Sequence, residues 1–114
     1  MTAREVIRRL DDRRPNELTL QDKLAALDEM EGSLYRSLFA GEDRPTVGED
    51  TELVARGFEG MYYARLCEML DYEAGDAARQ AHDAAICGEI RREYAEYIVR
   101  NRNSGGVLKV GDGA

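Results

Sequence analysis

The residues of this 114-residue chain best suited to chemistry are one histidine and two cysteines. His82 precedes Cys87 by five positions, a spacing that does not place both side chains on one face of a helix. Two such side chains are also fewer than the three or four protein ligands of a zinc ion. Cys67 as a nucleophile would need a base beside it, and the chain offers only this one histidine. We therefore expect no metal ion, no cofactor and no catalytic residue, a partly buried histidine, and two reduced cysteines packed in helices.

Acidic residues occur as adjacent pairs, which is a poor arrangement for acid–base catalysis. The pairs are Asp11-Asp12, Glu42-Asp43 and Glu49-Asp50. Catalytic carboxyl pairs need environments that separate their pKa values, whereas sequence neighbours are expected to share the same solvent. The sequence also lacks a phosphate-binding glycine loop and a Gly-x-Ser-x-Gly nucleophile motif. These features disfavour an enzyme.

Hydrophobic periodicity predicts an all-α fold of four helices, in which the second and fourth are long. The first helix is short, from Ala3 to about Asp12, and Thr2 with Glu5 forms a capping box at its start. The second helix follows the N-cap Thr19 and extends over residues 20–40. Capping residues therefore mark where the first and second helices begin.

The third helix, residues 59–74, carries two adjacent apolar stripes and is therefore predicted to be the most buried. Gly75 suits the left-handed residue that ends a helix, and Asp76 suits the N-cap of the next one. So short a turn makes the fourth helix, residues 77–102, an antiparallel neighbour of the third. These helices form one predicted domain, residues 1–103.

Two segments lie outside the predicted helices. The 41–52 loop carries five acids and one arginine, and loops of this length are usually functional or mobile. The glycine-rich tail, residues 104–114, contains four residues with the composition of a strand, Val107, Leu108, Lys109 and Val110. Because a lone strand is unstable, we expect this segment to add to the sheet of a partner, the alternative being a frayed terminus.

The chain is acidic, with 16 basic and 23 acidic residues and a net charge of −7. Such a chain gains nothing from counterion release at the phosphates of DNA. No apolar run approaches the ~20 residues of a membrane span. The N-terminal residues lack the apolar core of a signal peptide, so we expect synthesis in the cytoplasm and no membrane contact.

Three stretches resemble the head–tail connector, or adaptor, proteins of tailed bacteriophages and prophages. They are MTAREVIRRLDDRRPN, LTLQDKLAALDEMEGSLYRSLF and DTELVARGFEGMYYARLCEMLDYEAGD, in that order. The resemblance covers residues 1–102. One departure is Ala55-Arg56-Gly57-Phe58, where the family usually has Pro-Ala-Pro-Tyr or a similar sequence, and the last helix also has smaller side chains than its relatives.

The resemblance implies helical protomers that assemble into a ring, usually twelve-fold, beneath the portal protein. Such a ring extends the DNA channel and forms a platform for the next neck or tail-completion protein. The protein would then belong to the neck of the virion, and to the host cytoplasm during assembly. An acidic lumen would repel phosphate, so double-stranded DNA would pass without specific binding.

Within that arrangement the sequence offers two sets of candidate residues. The candidates for channel lining are four acids of the 41–52 loop, Glu42, Asp43, Glu49 and Asp50. An outward-facing surface loop is the alternative for them. Ring contacts join two different faces of the protomer, and Arg8 and Arg9 of the first helix are the candidate subunit contacts, facing acids of the second or third helix of a neighbour.

The sequence is also compatible with two other functions. A small helical adaptor or regulator would form a dimer and would have no affinity for a portal. An acidic DNA mimic would array its carboxylates along one face, whereas here acids and arginines alternate on the first and fourth helices.

Overall fold

The computed structural model describes residues 1–108, with side chains as far as Arg102. Over these residues the chain forms four helices, α1 (Ala3–Arg13), α2 (Leu20–Leu38), α3 (Gly60–Glu73) and α4 (Ala77–Leu108). The extended pairing in this part of the chain is an isolated antiparallel bridge between Thr2 and Glu52. The prediction of an all-α, four-helix domain is confirmed.

Helices α1 and α2 begin at the capping residues that the sequence indicates, and α3 ends at the predicted glycine turn, whereas α2 ends at Leu38, two residues earlier than predicted. The Thr2 hydroxyl accepts a hydrogen bond from the Glu5 backbone N–H at 3.3 Å, and the Glu5 carboxylate accepts one from the Thr2 N–H at 2.7 Å. At the start of α2, the Thr19 hydroxyl accepts from the Asp22 N–H at 3.0 Å. Gly75, with a φ of 70°, makes the left-handed turn between α3 and α4.

Helix α3 lies at the centre of the domain, where it contacts each of the other three helices, and α4 packs mainly on α3. Met61, Tyr62 and Leu66 of α3 are fully buried. The core residues from α1 and α2 include Val6, Leu10, Leu27 and Leu34. The prediction that the third helix is the most buried is consistent with this central position.

One buried carboxylate fixes the long connection between α2 and α3, residues 39–59. Glu31 of α2 is 3% exposed, and its oxygens accept hydrogen bonds from the Tyr62 hydroxyl at 2.6 Å and from the Val54 N–H at 2.9 Å. The Tyr62 oxygen accepts a further bond from the Ala55 N–H at 3.0 Å. Burial raises the pKa of the Glu31 carboxyl, against the opposing effect of its two donors. The connection is thereby tied to the core by a fully paired buried network.

The fourth helix is longer than the sequence predicts, because it ends at Leu108 and not near Arg102. Val107 and Leu108 are its last two residues, so the prediction of an extended strand is wrong for both. The physical reason is that a helix pairs its backbone groups within one segment, whereas a strand requires a partner. Lys109 and Val110 lie outside the described residues.

Replacing Tyr62 with phenylalanine should destabilise the domain. The change removes a hydrogen bond to a buried carboxylate and leaves the Ala55 N–H without its acceptor, so we expect a loss of about 1–3 kcal/mol in the free energy of unfolding. Urea unfolding followed by circular dichroism measures it. The matched control is Tyr72→Phe, because Tyr72 is 69% exposed, and it should change stability by less than about 0.5 kcal/mol. Equal losses in both variants would contradict the role of the hydroxyl.

Candidate functional site

The outer face of α1 carries unpaired positive charge. Arg8 and Arg9 are exposed, and among the described residues no carboxylate lies within 4.0 Å of either guanidinium. Arg8 lines an open groove of about 260 Å³ whose other lining side chains are both apolar and charged, among them Leu20, Asp11 and Glu49. The exposed positive pair suits contact with an acidic protein surface.

The acids at the end of the 41–52 loop are bound to the start of α1. Arg4 forms ion pairs with both Glu49 and Asp50, and its Nε lies 3.7 Å from Glu49 Oε2. The backbone N–H of Arg4 also donates to the Glu49 carbonyl at 2.9 Å. One guanidinium therefore offsets part of the charge of these two predicted channel acids.

Glu42 and Asp43 lie elsewhere, exposed at the start of the loop. They line a groove beside α2 together with Arg36, whereas Glu49 lines the groove beside α1. The structure thus divides the four candidate channel acids into two pairs on different grooves. Only the first pair lacks an ion-pair partner among the described residues.

Arg44, a residue of this loop, forms an ion pair that lies against the glycine in the middle of α2. Arg44 Nη1 donates to Asp28 Oδ1 at 2.6 Å, and its Nη2 donates to the Asp28 carbonyl at 2.9 Å. A Cβ atom on Gly32 would lie 2.8 Å from Arg44 Nη2, so glycine gives the guanidinium room against the helix. The hydrogen bond from Arg44, followed by that from the Val47 N–H, lowers the pKa of Asp28. From sequence alone, Gly32 appears only as a residue that weakens the helix.

The histidine and the two cysteines differ in their exposure to solvent. His82 is exposed, which corrects the expectation of partial burial, while Cys67 is buried and Cys87 half-buried, both as free thiols. Among the residues that the structure describes, no three His, Cys, Asp or Glu side chains form a group that could hold a metal. None of the described helices combines the length and apolar character needed to cross a bilayer.

Sequence reasoning missed a buried ionic cluster where α3 and α4 meet. Asp71 is 0% exposed, and its Oδ1 accepts a hydrogen bond from Arg14 Nη2 at 2.9 Å and lies 3.7 Å from Arg79 Nε. The carboxyl of Asp83, from α4, faces that of Asp71 closely enough that each shifts the pKa of the other. The two acids meet because the Gly75 turn folds α4 back along α3. The one signal in the sequence is a charged residue within the apolar pattern of the third helix.

Comparison of the chain with protein-family models, with curated proteins and with solved structures finds no match. Function is therefore inferred from two kinds of observation on this chain. One is the distribution of paired and unpaired charges over its surface, and the other is the resemblance of its sequence to a family.

Replacing Arg14 with alanine should destabilise the domain, because it leaves the Asp71 carboxylate buried without its nearest cation. We expect the free energy of unfolding to fall by about 2–4 kcal/mol, below the value for a wholly buried pair because Arg14 is partly exposed. The matched control is Arg9→Ala, an exposed and unpaired arginine, with an expected change below about 0.5 kcal/mol. Urea unfolding of both variants provides the measurement, and equal midpoints would show that the buried pair adds no stability.

Proposed function

We propose that this protein is a structural connector between the head and the tail of a tailed bacteriophage or prophage. It assembles as a ring beneath the portal protein, with the twelve copies that the resemblance implies. The ring extends the DNA channel and offers a platform to the next neck or tail-completion protein. The proposal is supported by the resemblance of residues 1–102, whose matching stretches cover α1, α2 and α3 and the turn that starts α4.

The observation that carries the proposal is the unpaired positive face of α1. A ring contact joins two different faces of one protomer, so each face keeps charges that have no partner in the isolated chain. Arg8 and Arg9 fit this requirement. On α2 and α3, Asp28 and Asp71 are already paired internally. The exposed Asp22 and Glu73, which have no ion-pair partner among the described residues, are the available acceptors in the neighbouring copy.

The 41–52 loop supplies the acidic lining of the proposed channel. Glu42 and Asp43 are exposed and contribute their full charge, whereas Arg4 offsets the charge of Glu49 and Asp50. Repeated around a ring, such acids repel the phosphates of the passing DNA. The same pairing disfavours the DNA-mimic alternative, because a mimic needs its carboxylates unpaired along one face.

Reversing the charge of Arg8 and Arg9 to glutamate should block assembly. We expect the unmodified protein to form a closed ring in negative-stain images, alone or on the portal ring encoded by the same genome, with its mass measured by light scattering. Arg56→Glu, an exposed arginine of the α2–α3 connection, is the matched control and should assemble normally. Unchanged assembly of the doubly reversed protein would reject these arginines as the contact. A stable dimer that ignores the portal would instead identify a small helical adaptor.

Replacing Glu42 and Asp43 with lysine should make the ring bind duplex DNA. Each positive charge facing a phosphate releases a counterion, so the affinity should rise and its dependence on salt should steepen. Fluorescence anisotropy of a labelled duplex at two salt concentrations measures both effects. Glu17→Lys is the control, because it replaces an exposed acid outside the loop with the same positive side chain. The same affinity for loop and control variants would place the loop outside the channel.

A further inference from the structure

The two ends of α4 are held against the domain by different kinds of contact. Toward its C-terminal end, the Tyr94 ring lies 5.2 Å from that of Phe58, its hydroxyl donates to the Val54 carbonyl at 3.2 Å, and Arg91 donates to Ser37 Oγ at 3.1 Å. The first residues of α4, 77–79, are all exposed. Near this end, α4 contacts α3 through the Asp71–Asp83 pair and through Arg79, whose Nε lies 3.7 Å from Asp71 Oδ1.

The unpaired oxygen atoms of this pair point to a shared proton. Asp71 Oδ1 accepts a hydrogen bond from Arg14 Nη2. Three other buried atoms of this cluster have no hydrogen-bond partner among the described residues, the two acceptors Asp71 Oδ2 and Asp83 Oδ2 and the donor Arg14 Nη1. Two ionised carboxylates are acceptors only and cannot satisfy each other. A single proton converts one of them into a donor and satisfies both oxygens, which is how buried polar atoms are normally found.

The surroundings favour one shared proton over two or none. The charged and titratable groups that face the pair are Arg14 from the segment after α1, Cys67 from α3 and Arg79 from α4. Burial, and then the hydrogen bond to Asp71, raises the pKa of Asp83. Burial also acts to raise the pKa of Asp71, but the contacts with Asp83 and Arg14 outweigh burial and lower that pKa. The two carboxyls therefore titrate as one coupled pair.

We propose that the proton shared by Asp71 and Asp83 is a clasp that holds the first turns of α4 against α3. Loss of this proton leaves two carboxylates in contact in a poorly solvated site, and their repulsion separates the first turns of α4 from α3. The other end of α4 remains closed, because its contacts do not ionise in the same range; burial raises the pKa of Tyr94 to about 12. This clasp is independent of whether the protein forms a ring.

The direction and size of the pH effect follow from linkage. The closed state binds the proton more tightly than the open state, in which Asp83 has its ordinary pKa of 3.8. The equilibrium constant for opening is therefore constant below that value. It rises by up to about tenfold per pH unit between 3.8 and the raised pKa of the closed state. Asp71 adds no slope in this window, because its lowered pKa lies below it.

Hydrogen–deuterium exchange across the same pH window tests the clasp. After correction for intrinsic exchange, we expect protection of amides 80–86 to fall by up to about tenfold per pH unit, while protection of amides 90–97 stays constant. Asp83→Asn supplies a permanent amide donor to Asp71, so its protection should not depend on pH. Asp12→Asn, an exposed carboxyl of α1, is the matched control and should behave as the unmodified protein. An identical pH dependence in Asp83→Asn and the unmodified protein would overturn the proposal.

If the Asp83 variant does not fold, NMR of the side-chain carboxyl carbons in the unmodified protein tests the same proposal by measuring the pKa of each acid. We expect the Asp83 carboxyl to titrate above 3.8 and that of Asp71 below it, with each resonance responding to the titration of the other. An Asp83 carboxyl that titrates at or below 3.8, with no response from Asp71, would show that no proton is shared and would overturn the clasp.

Discussion

The buried carboxylate of Glu31 is the contact on which the arrangement of the other segments depends. It joins α2 to α3 through Tyr62 and holds the Val54 N–H of the long connection. Next to this point, the Leu53 N–H donates to the Met1 carbonyl at 3.0 Å, which sets the start of α1. The Val54 carbonyl accepts from Tyr94 of α4. A carboxylate removed from water must have all its bonds made inside the protein, so this network leaves the connection few alternative positions.

The position of the connection determines which charges remain available on the surface. Because its last residues run beside the start of α1, Arg4 is paired with Glu49 and Asp50, whereas Arg8 and Arg9 further along the same helix are not. A protomer that docks between two copies of itself benefits from faces of fixed shape and unsatisfied charge.

Local features of this fold could be predicted from the sequence because they are decided within a few residues. The Thr2–Glu5 capping box and the turn at Gly75 each depend on side chains close to the backbone groups that they satisfy. The tail could not be predicted in the same way. Val107 and Leu108 favour a strand by composition, but α4 continues through them, since a helix pairs its backbone groups within one segment.

The sequence by itself determined the class of the fold, the starts of the helices and the tight α3–α4 turn, because periodicity and capping act over short distances. Only the tertiary structure decided which charges pair. The role of Gly32 depends on Arg44 crossing α2, and the meeting of Asp71 with Asp83 depends on the relative rotation of two helices about their axes. Partners so far apart along the chain are selected by the packing of the core, and no spacing rule in the sequence specifies them.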